Sequence, residues 1–130
     1  MIVMNTLTTS TIKNMSPQLL VRDLERAIQF YTKKLGFKVD FIYEDFYAGV
    51  SKDGYSIHLK TGNPSAEERK NRREQEDLDI MFSVDNVESL YEELSGKSVE
   101  FAQPLRVMPY GKEFYIADPE GYILGFLQEG

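Results

Sequence analysis

One pattern occurs twice in this sequence of 130 residues, and the repeat restricts the fold more than any other feature. A shift of 63 positions places Val21 on Val84. A shift of 67 positions places the turn Asp-Gly-Tyr at 53–55 on Glu-Gly-Tyr at 120–122. The two shifts differ because the loops of the two copies differ in length. We therefore expect two copies of one structural unit that pair with each other.

Each copy begins with a strand and a helix and ends with three strands. In the first copy, Leu19 and Val21 alternate with polar residues, Asp23 is a good helix N-cap, and Gly36 is typical of a helix end. Apolar residues recur at helical spacing between the cap and the glycine. The predicted helix is 24–35, and the predicted strands are 18–22, 37–43, 46–51 and 55–60.

The second copy repeats this order after a highly charged stretch. Either Asp85 or Asn86 caps its helix, and Gly96 closes it. Pro104 and Pro109 indicate a loop between the second and third strands of this copy. The predicted strands are 78–84, 99–102, 113–117 and 122–128.

These elements predict an α+β fold with two tandem βαβββ modules. The modules form a cupped, mostly antiparallel sheet with the helices on its convex face. The predicted organisation is an N-terminal tail at 1–13 and a single domain at 14–130, divided into module one (14–61), a charged linker (62–77) and module two (78–128). The basic residues of the linker are balanced by glutamates, which favours a solvated helix face. A mobile lid over a cavity is the alternative. Those basic residues are Arg69, Lys70, Arg72 and Arg73.

Charge and composition exclude several classes of function. The net charge of −6 argues against nucleic-acid binding, which requires a basic surface, and favours a cationic ligand by long-range attraction. No apolar run is long enough to span a membrane, and the N-terminus lacks the pattern of a signal peptide. The chain has no cysteine, which is consistent with a reducing compartment. We therefore expect a cytoplasmic protein.

The strand pattern also predicts which residues line the concave face. Since the apolar strand residues point at the helices, the alternate residues point into the cup. Aromatic residues on or near these strands suggest a surface for a flat or hydrophobic ligand. The predicted lining is Ser16, Gln18, Leu20, Ser56, His58, Lys60, Asp79, Met81, Ser83, Ile123, Gly125 and Leu127, and the aromatic candidates are Phe41, Tyr43, Phe46, Tyr47 and Tyr115.

Two motifs resemble those of a known superfamily over residues 16–128. The motifs are Leu19-x-Val21-x-Asp23-Leu24-x-x-Ala27-x-x-Phe30-Tyr31-x-x-x-Leu35-Gly36-Phe37 and Phe114-Tyr115-Ile116-x-Asp118-Pro119-x-Gly121-Tyr122. The superfamily that they resemble is the vicinal oxygen chelate group, which includes glyoxalase I, extradiol dioxygenases, fosfomycin resistance enzymes and bleomycin resistance proteins.

The resemblance places the metal ligands of this superfamily at four positions: Ser16, His58, Asp79 and Gly125. His, Gln or Glu is usual at these positions, and a catalytic metal needs about three protein ligands. Only His58 and Asp79 qualify here, so we predict no cofactor. If a divalent metal binds, these two residues hold it. In this respect the chain is similar to the metal-free, bleomycin-resistance-like branch.

The resulting hypothesis is a homodimeric protein that binds and sequesters a drug-like or cationic small molecule. His58, the only histidine, is also a candidate catalytic base, and Asp79 could orient it. The alternative is a metal-dependent lyase, isomerase or dioxygenase that acts on vicinal oxygens. The third hypothesis is either a metal-free enzyme that uses His58 as its base or a subunit that binds only a protein partner. The predicted ligand contacts are Gln18, Tyr43, His58, Asp79, Glu113 and Tyr115.

Overall fold

The structure, a computed structural model, describes residues 10–130. Most of the predicted N-terminal tail at 1–13 therefore lies outside the described residues. Within 10–130, none of the helices combines the length and the apolar character needed to cross a membrane.

Module one contains a strand, a helix and three further strands, as the repeat predicts. Asp23 caps the helix by accepting a hydrogen bond from the Arg26 backbone N–H. The helix continues beyond α1 as a five-residue π-helix, Phe30–Lys34, and Gly36 follows with a φ of +78°. The elements are β1 (Gln18–Val21), α1 (Leu24–Gln29), β2 (Lys38–Tyr43), β3 (Tyr47–Lys52) and β4 (Tyr55–Thr61).

Module two has the same order and is preceded by a helix in the linker. Asn86, rather than Asp85, caps the helix of this module, because its side chain accepts a hydrogen bond from the Ser89 backbone N–H. The elements are α2 (Ala66–Glu74) in the linker, then β5 (Ile80–Ser83), α3 (Val87–Ser95), β6 (Glu100–Met108), β7 (Gly111–Ala117) and β8 (Ile123–Glu129).

The strands form two four-stranded sheets of identical topology. Their orders are β1-β4-β3-β2 and β5-β8-β7-β6, with one parallel pair in each sheet and the other pairs antiparallel. Gln18 lies opposite His58, and Met81 lies opposite Gly125. The two predicted shifts relate these pairs, because the shift of 63 carries Gln18 to Met81 and the shift of 67 carries His58 to Gly125. The predicted α+β fold of two βαβββ modules is confirmed.

One face of each sheet packs against the helices and forms a core that is continuous between the modules. Burying one such side chain contributes about 1.5–3 kcal/mol, which makes this apolar face the main source of stability. The buried strand residues on this face are Leu19, Val21, Ala48, Val50, Ile57 and Leu59 in module one, and Phe114, Ile116, Leu124 and Phe126 in module two.

The sequence-based boundary of β6 was wrong. Pro104 was expected in a loop, but the strand continues through it to Met108. β6 is an edge strand, and its register with β7 shifts on both sides of Gln103. A proline is tolerated at such a place because the missing N–H is not needed for a regular ladder. The loop is reduced to a short turn at Pro109 and Tyr110.

The linker packs against module two instead of being fully solvated. Arg69 on α2 is only 8% exposed, and its guanidinium lies 4.2 Å from the ring centroid of Tyr122. It also forms an ion pair of 2.8 Å with Asp79. The prediction of a solvated basic face is therefore wrong for Arg69, whereas the neighbouring Lys70 is exposed as expected.

A buried carboxylate joins the two modules. Oδ1 of Asp118 accepts hydrogen bonds from the backbone N–H groups of Glu120, Gly121 and Tyr122, at 2.9–3.0 Å. Oδ2 accepts a hydrogen bond of 2.7 Å from the phenol of Tyr31 in module one. Both partners are buried. The carboxylate thus fixes the turn before β8 and connects it to the helical segment of the other module.

This turn covers the free edge of β1. The Tyr122 hydroxyl donates a hydrogen bond to the Leu20 carbonyl at 2.9 Å and accepts one from the Leu20 N–H at 3.0 Å. Glu120 accepts hydrogen bonds from the backbone N–H and from Nε of Arg22. Side chains of module two therefore satisfy backbone groups that would otherwise be available for pairing with another strand.

Because Tyr31 is buried against Asp118, we expect the protein to lose stability at alkaline pH. Burial, assisted by the Asp118 charge, raises the pKa of Tyr31 well above its usual value near 10. Above pH 10 the unfolded chain loses this proton while the folded chain keeps it, so the free energy of unfolding falls as the pH rises. This one group should contribute a slope of about −1.4 kcal/mol per pH unit, measurable by urea unfolding at a series of alkaline pH values.

Tyr31→Phe tests this assignment. The variant should be less stable at neutral pH by about 1–3 kcal/mol because it leaves a buried carboxylate oxygen without its donor. Its alkaline slope should be shallower by about 1.4 kcal/mol per pH unit. The control is Tyr55→Phe, since Tyr55 is 75% exposed and its removal should leave the slope unchanged. Equal slopes in the wild type and Tyr31→Phe would contradict the prediction.

Candidate functional site

Module one has a sheet face on which aromatic side chains remain exposed within residues 10–130. Gly49 and Gln18 each lie opposite His58 on neighbouring strands, so the three residues share the face of the sheet that points away from the core. Phe41 lies opposite Gly49, and Tyr43 lies opposite Tyr47. We call this surface the open face; its members are Gln18, Phe41, Tyr43, Tyr47, Gly49 and His58.

Three rings form an aromatic platform on the open face. The rings of Phe41 and Tyr47 are nearly parallel, with centroids 6.1 Å apart. His58 meets both rings edge-on, at 5.4 Å from Phe41 and 5.5 Å from Tyr47. A Cβ at position 49 would collide with Phe41, so this ring needs a glycine beneath it. Phe41 remains 40% exposed and can accept a further flat ring.

Polar groups lie beside the platform. Gln18 Nε2 donates a hydrogen bond to the Tyr47 hydroxyl at 3.0 Å, and this hydroxyl lies 2.9 Å from His58 Nδ1. Further along the same face, the hydroxyls of Ser16 and Ser56 are hydrogen-bonded to each other. The open face therefore combines a stacking surface with a short row of hydrogen-bonding groups, as small-molecule sites do.

The corresponding face of module two is covered. Leu78, at the end of the linker, lies over Gly125, and a Cβ built on this glycine would be 2.7 Å from Leu78 Cδ1. Leu78 also packs with Tyr115, Ala117 and Ile123 in a small second cluster. Because of this cover, the two modules present unlike surfaces although their strand topology is the same.

Glu113 lies at the centre of a buried network on the covered face. It is 0% exposed and accepts hydrogen bonds from Tyr110, Tyr115 and Arg106 at 2.7–3.1 Å. Arg106 also pairs with Glu76 at 2.8 Å. Burial, followed by the hydrogen bond to Glu113, raises the pKa of Tyr115. The hydrogen bond to Glu113 is the main cause of a raised pKa at Tyr110, and it also raises the pKa of Arg106.

The predicted site residues fall into separate groups. Gln18 and His58 lie together on the open face with Tyr43 on the same sheet, and Glu113 is hydrogen-bonded to Tyr115 on the covered face. The remaining predicted residue, Asp79, forms ion pairs with arginines of the linker. Whether any of the six contacts a ligand stays a prediction.

Asp79 is engaged by the linker and not by His58. Its oxygens form ion pairs with Arg69 at 2.8 Å and Arg72 at 2.9 Å, and Oδ2 also accepts the Ile123 N–H at 2.8 Å. The expectation that Asp79 orients His58 is therefore wrong for this chain, since the groups that contact the His58 ring are Tyr47 and Phe41.

The residues present do not fit the metal site that the superfamily resemblance implies. A cation at Asp79 would meet two guanidinium groups, and Leu78 occupies the space that a ligand side chain at position 125 would need. Among residues 10–130, no group of three or more His, Cys, Asp or Glu side chains lies close enough together to hold a metal ion. No reaction step through a metal can be derived from this arrangement.

Sequence reasoning missed two contributors to these sites. Tyr47 was noted only as an aromatic candidate, although it connects Gln18 with His58. The alternation of Tyr47 with Gly49 on β3 was the signal that placed it beside His58. Arg106 was missed because it lay in a segment interpreted as a loop.

Comparison with known proteins supports the family assignment. The model of the Glyoxalase/Bleomycin resistance protein/Dioxygenase superfamily matches residues 15–126. Among solved structures, UcmS2 is 24% identical with a TM-score of 0.73, and the alignment covers 91% of this chain and 98% of that one. No curated protein matches the chain significantly.

Two further solved structures are of antibiotic-binding proteins. TnmS3, an antibiotic binding protein from Streptomyces sp. CB03234, is 18% identical with a TM-score of 0.73, and the alignment covers 95% of this chain and 100% of that one. The bleomycin-binding protein from Streptomyces verticillus is 20% identical with a TM-score of 0.68, covering 94% of this chain and 100% of that one. Given the match of the family model over most of its length, the chain belongs to the Glyoxalase/Bleomycin resistance protein/Dioxygenase superfamily.

Proposed function

We propose that this protein sequesters a flat, drug-like small molecule on the open face of module one, without a metal. The observation that carries the proposal is the aromatic platform of Phe41, Tyr47 and His58, which is ordered by mutual contacts and still exposed. Sequestration requires no bond to be made or broken, and the platform needs only to enclose the ligand more favourably than water does. A role for His58 as a catalytic base stays a prediction.

Two of the similar structures support a binding function. TnmS3 is an antibiotic binding protein, and the Streptomyces verticillus protein is complexed with copper(II)-bleomycin. The acidic net charge of −6 adds long-range attraction for a cationic ligand. The candidate ligand is therefore an aromatic compound that also carries positive charge.

We further propose that a second copy of the chain packs over the open face and encloses the ligand. On the open-face side, Tyr43 is 63% exposed and Phe46 packs edge-on against it at 5.9 Å while remaining exposed itself. A concavity of about 610 Å³ lies on the opposite, helix-bearing side of module one, next to Leu24 and Ile28. Within residues 10–130, a single chain therefore leaves the aromatic platform open to solvent. Clustered exposed apolar groups of this kind are typical of an interaction surface.

Calorimetric titration with bleomycin tests the ligand class. We expect heat of binding and saturation with the wild type, and an affinity lowered at least about tenfold by Phe41→Ala, which removes the exposed ring. The matched control is Tyr55→Ala, which removes an exposed ring from outside the platform. Absence of heat at high concentration would exclude this ligand. Equal losses in the two variants would exclude the open face as its site.

Added metal should not stabilise the protein. We expect thermal unfolding to be unchanged by Ni²⁺, Zn²⁺, Mn²⁺ or Fe²⁺, because a ligand stabilises a protein only if the folded state binds it. Elemental analysis of protein purified without chelators should give less than one metal per chain. A stoichiometric metal, or a rise in melting temperature that His58→Ala abolishes, would support the metalloenzyme alternative instead.

Light scattering after gel filtration tests closure by a second copy. The wild type should have twice the mass of one chain, which is 15.0 kDa. Phe46→Glu places a charge among exposed apolar groups and should shift the population to monomer. Gln29→Glu adds the same charge on the exposed side of α1 and should remain dimeric. A monomeric wild type would contradict the proposal, as would a Phe46→Glu variant that stays fully dimeric.

A further inference from the structure

Three polar side chains on the open face form a chain whose protons can be assigned. Gln18 Nε2 lies 3.0 Å from the Tyr47 hydroxyl oxygen, and this oxygen lies 2.9 Å from His58 Nδ1. An amide nitrogen only donates, so the Tyr47 oxygen accepts the bond from Gln18. The hydrogen bond between the Tyr47 hydroxyl and His58 Nδ1 can form in either direction, and the direction in which Tyr47 donates uses its single phenol proton within this row of side chains.

We infer that the neutral form of His58 carries its proton on Nε2, and that it presents this N–H to the ligand as a hydrogen-bond donor. In a neutral imidazole one nitrogen donates and the other accepts. Since Nδ1 accepts from Tyr47, Nε2 carries the proton. Within residues 10–130, the hydrogen bond to Tyr47 is the one side-chain bond that the ring makes. The inference rests on the proposed function, because it names the group that the same site recognises.

This proton arrangement defines the ligand more closely. The ring of Phe41 lies 5.4 Å from that of His58 and at nearly a right angle to it. A ligand that stacks on Phe41 should therefore carry a hydrogen-bond acceptor, such as a carbonyl oxygen, beside its flat ring. In this arrangement His58 determines specificity through its Nε2–H, while the one ring lone pair, on Nδ1, is directed at Tyr47.

Nitrogen-15 NMR of the ligand-free protein measures the tautomer directly. The chain has one histidine, so both ring-nitrogen signals belong to His58, and Nε2 is told from Nδ1 by its coupling to both ring C–H protons. The measurement is made at a pH above the usual range of imidazole ionisation, which lies near 6.5. We expect Nε2 to give the protonated type of signal and Nδ1 the unprotonated type. A wild-type ring with its proton on Nδ1 would overturn the inference.

Gln18→Glu should reverse the direction of both hydrogen bonds, the one from residue 18 to Tyr47 and the one from Tyr47 to His58. A carboxylate only accepts, so Tyr47 would donate to it and its oxygen would accept from Nδ1–H of His58. The spectrum should therefore switch to the other tautomer. Tyr47→Phe should give a mixture of both, and the charge control Gln29→Glu, on α1, should keep the wild-type tautomer. An unchanged spectrum in both Gln18→Glu and Tyr47→Phe would show that the hydrogen bonds through Tyr47 do not determine which nitrogen of His58 carries the proton.

Two probes of equal shape test the recognised group. Acetylnaphthalene has a carbonyl acceptor, and isopropenylnaphthalene with the same point of attachment has none. The wild type should bind the ketone roughly twofold to tenfold more tightly, which is the range for one hydrogen bond, and Gln18→Glu should lose this preference. Equal affinities in the wild type would overturn the inference. Binding of neither probe would contradict the proposed function, while the tautomer of the free protein would still decide the proton assignment.

Discussion

The buried carboxylate of Asp118 is the interaction on which the arrangement of the two modules depends. One of its oxygens holds the turn before β8, and the other accepts the phenol proton of Tyr31. Burial raises the pKa of Asp118 although its hydrogen bonds lower it. The buried carboxylate therefore needs all of these donors to compensate for its loss of water contacts. With the turn fixed, Tyr122 and Glu120 reach the edge of β1 and cover it. The first strand of module one is thereby positioned by residues of module two.

The duplicated unit has acquired two different surfaces. The linker is the physical cause, because Arg69 binds Asp79 and Leu78 fills the space beside Gly125. On module one the equivalent strand position carries His58, and Phe41 packs over the neighbouring Gly49 with its ring still exposed. The internal symmetry that defines the fold therefore does not extend to the site. Module one presents an aromatic face, and module two contains a buried ion-pair network.

Most of the fold could be predicted because alternation and repeat spacing are local properties of the sequence. The shifts of 63 and 67 positions correctly relate the pair Gln18–His58 to the pair Met81–Gly125. The errors arose where distant residues decide the outcome. The burial of Arg69 depends on Tyr122 and Asp79, which no local pattern connects to it, and the extended conformation at Pro104 depends on the edge position of β6.

The order already present in the platform bears on how tightly it can bind. Phe41 is held over Gly49, and the Tyr47 hydroxyl is fixed between Gln18 and His58. A side chain that is immobilised only on binding costs about 0.5–1.5 kcal/mol, so a face whose rings already support each other avoids much of this cost. The same contacts fix the direction of the His58 ring. In the proposed site, affinity and selectivity would then arise from one set of contacts, since the residues that order the stacking surface also orient the His58 ring.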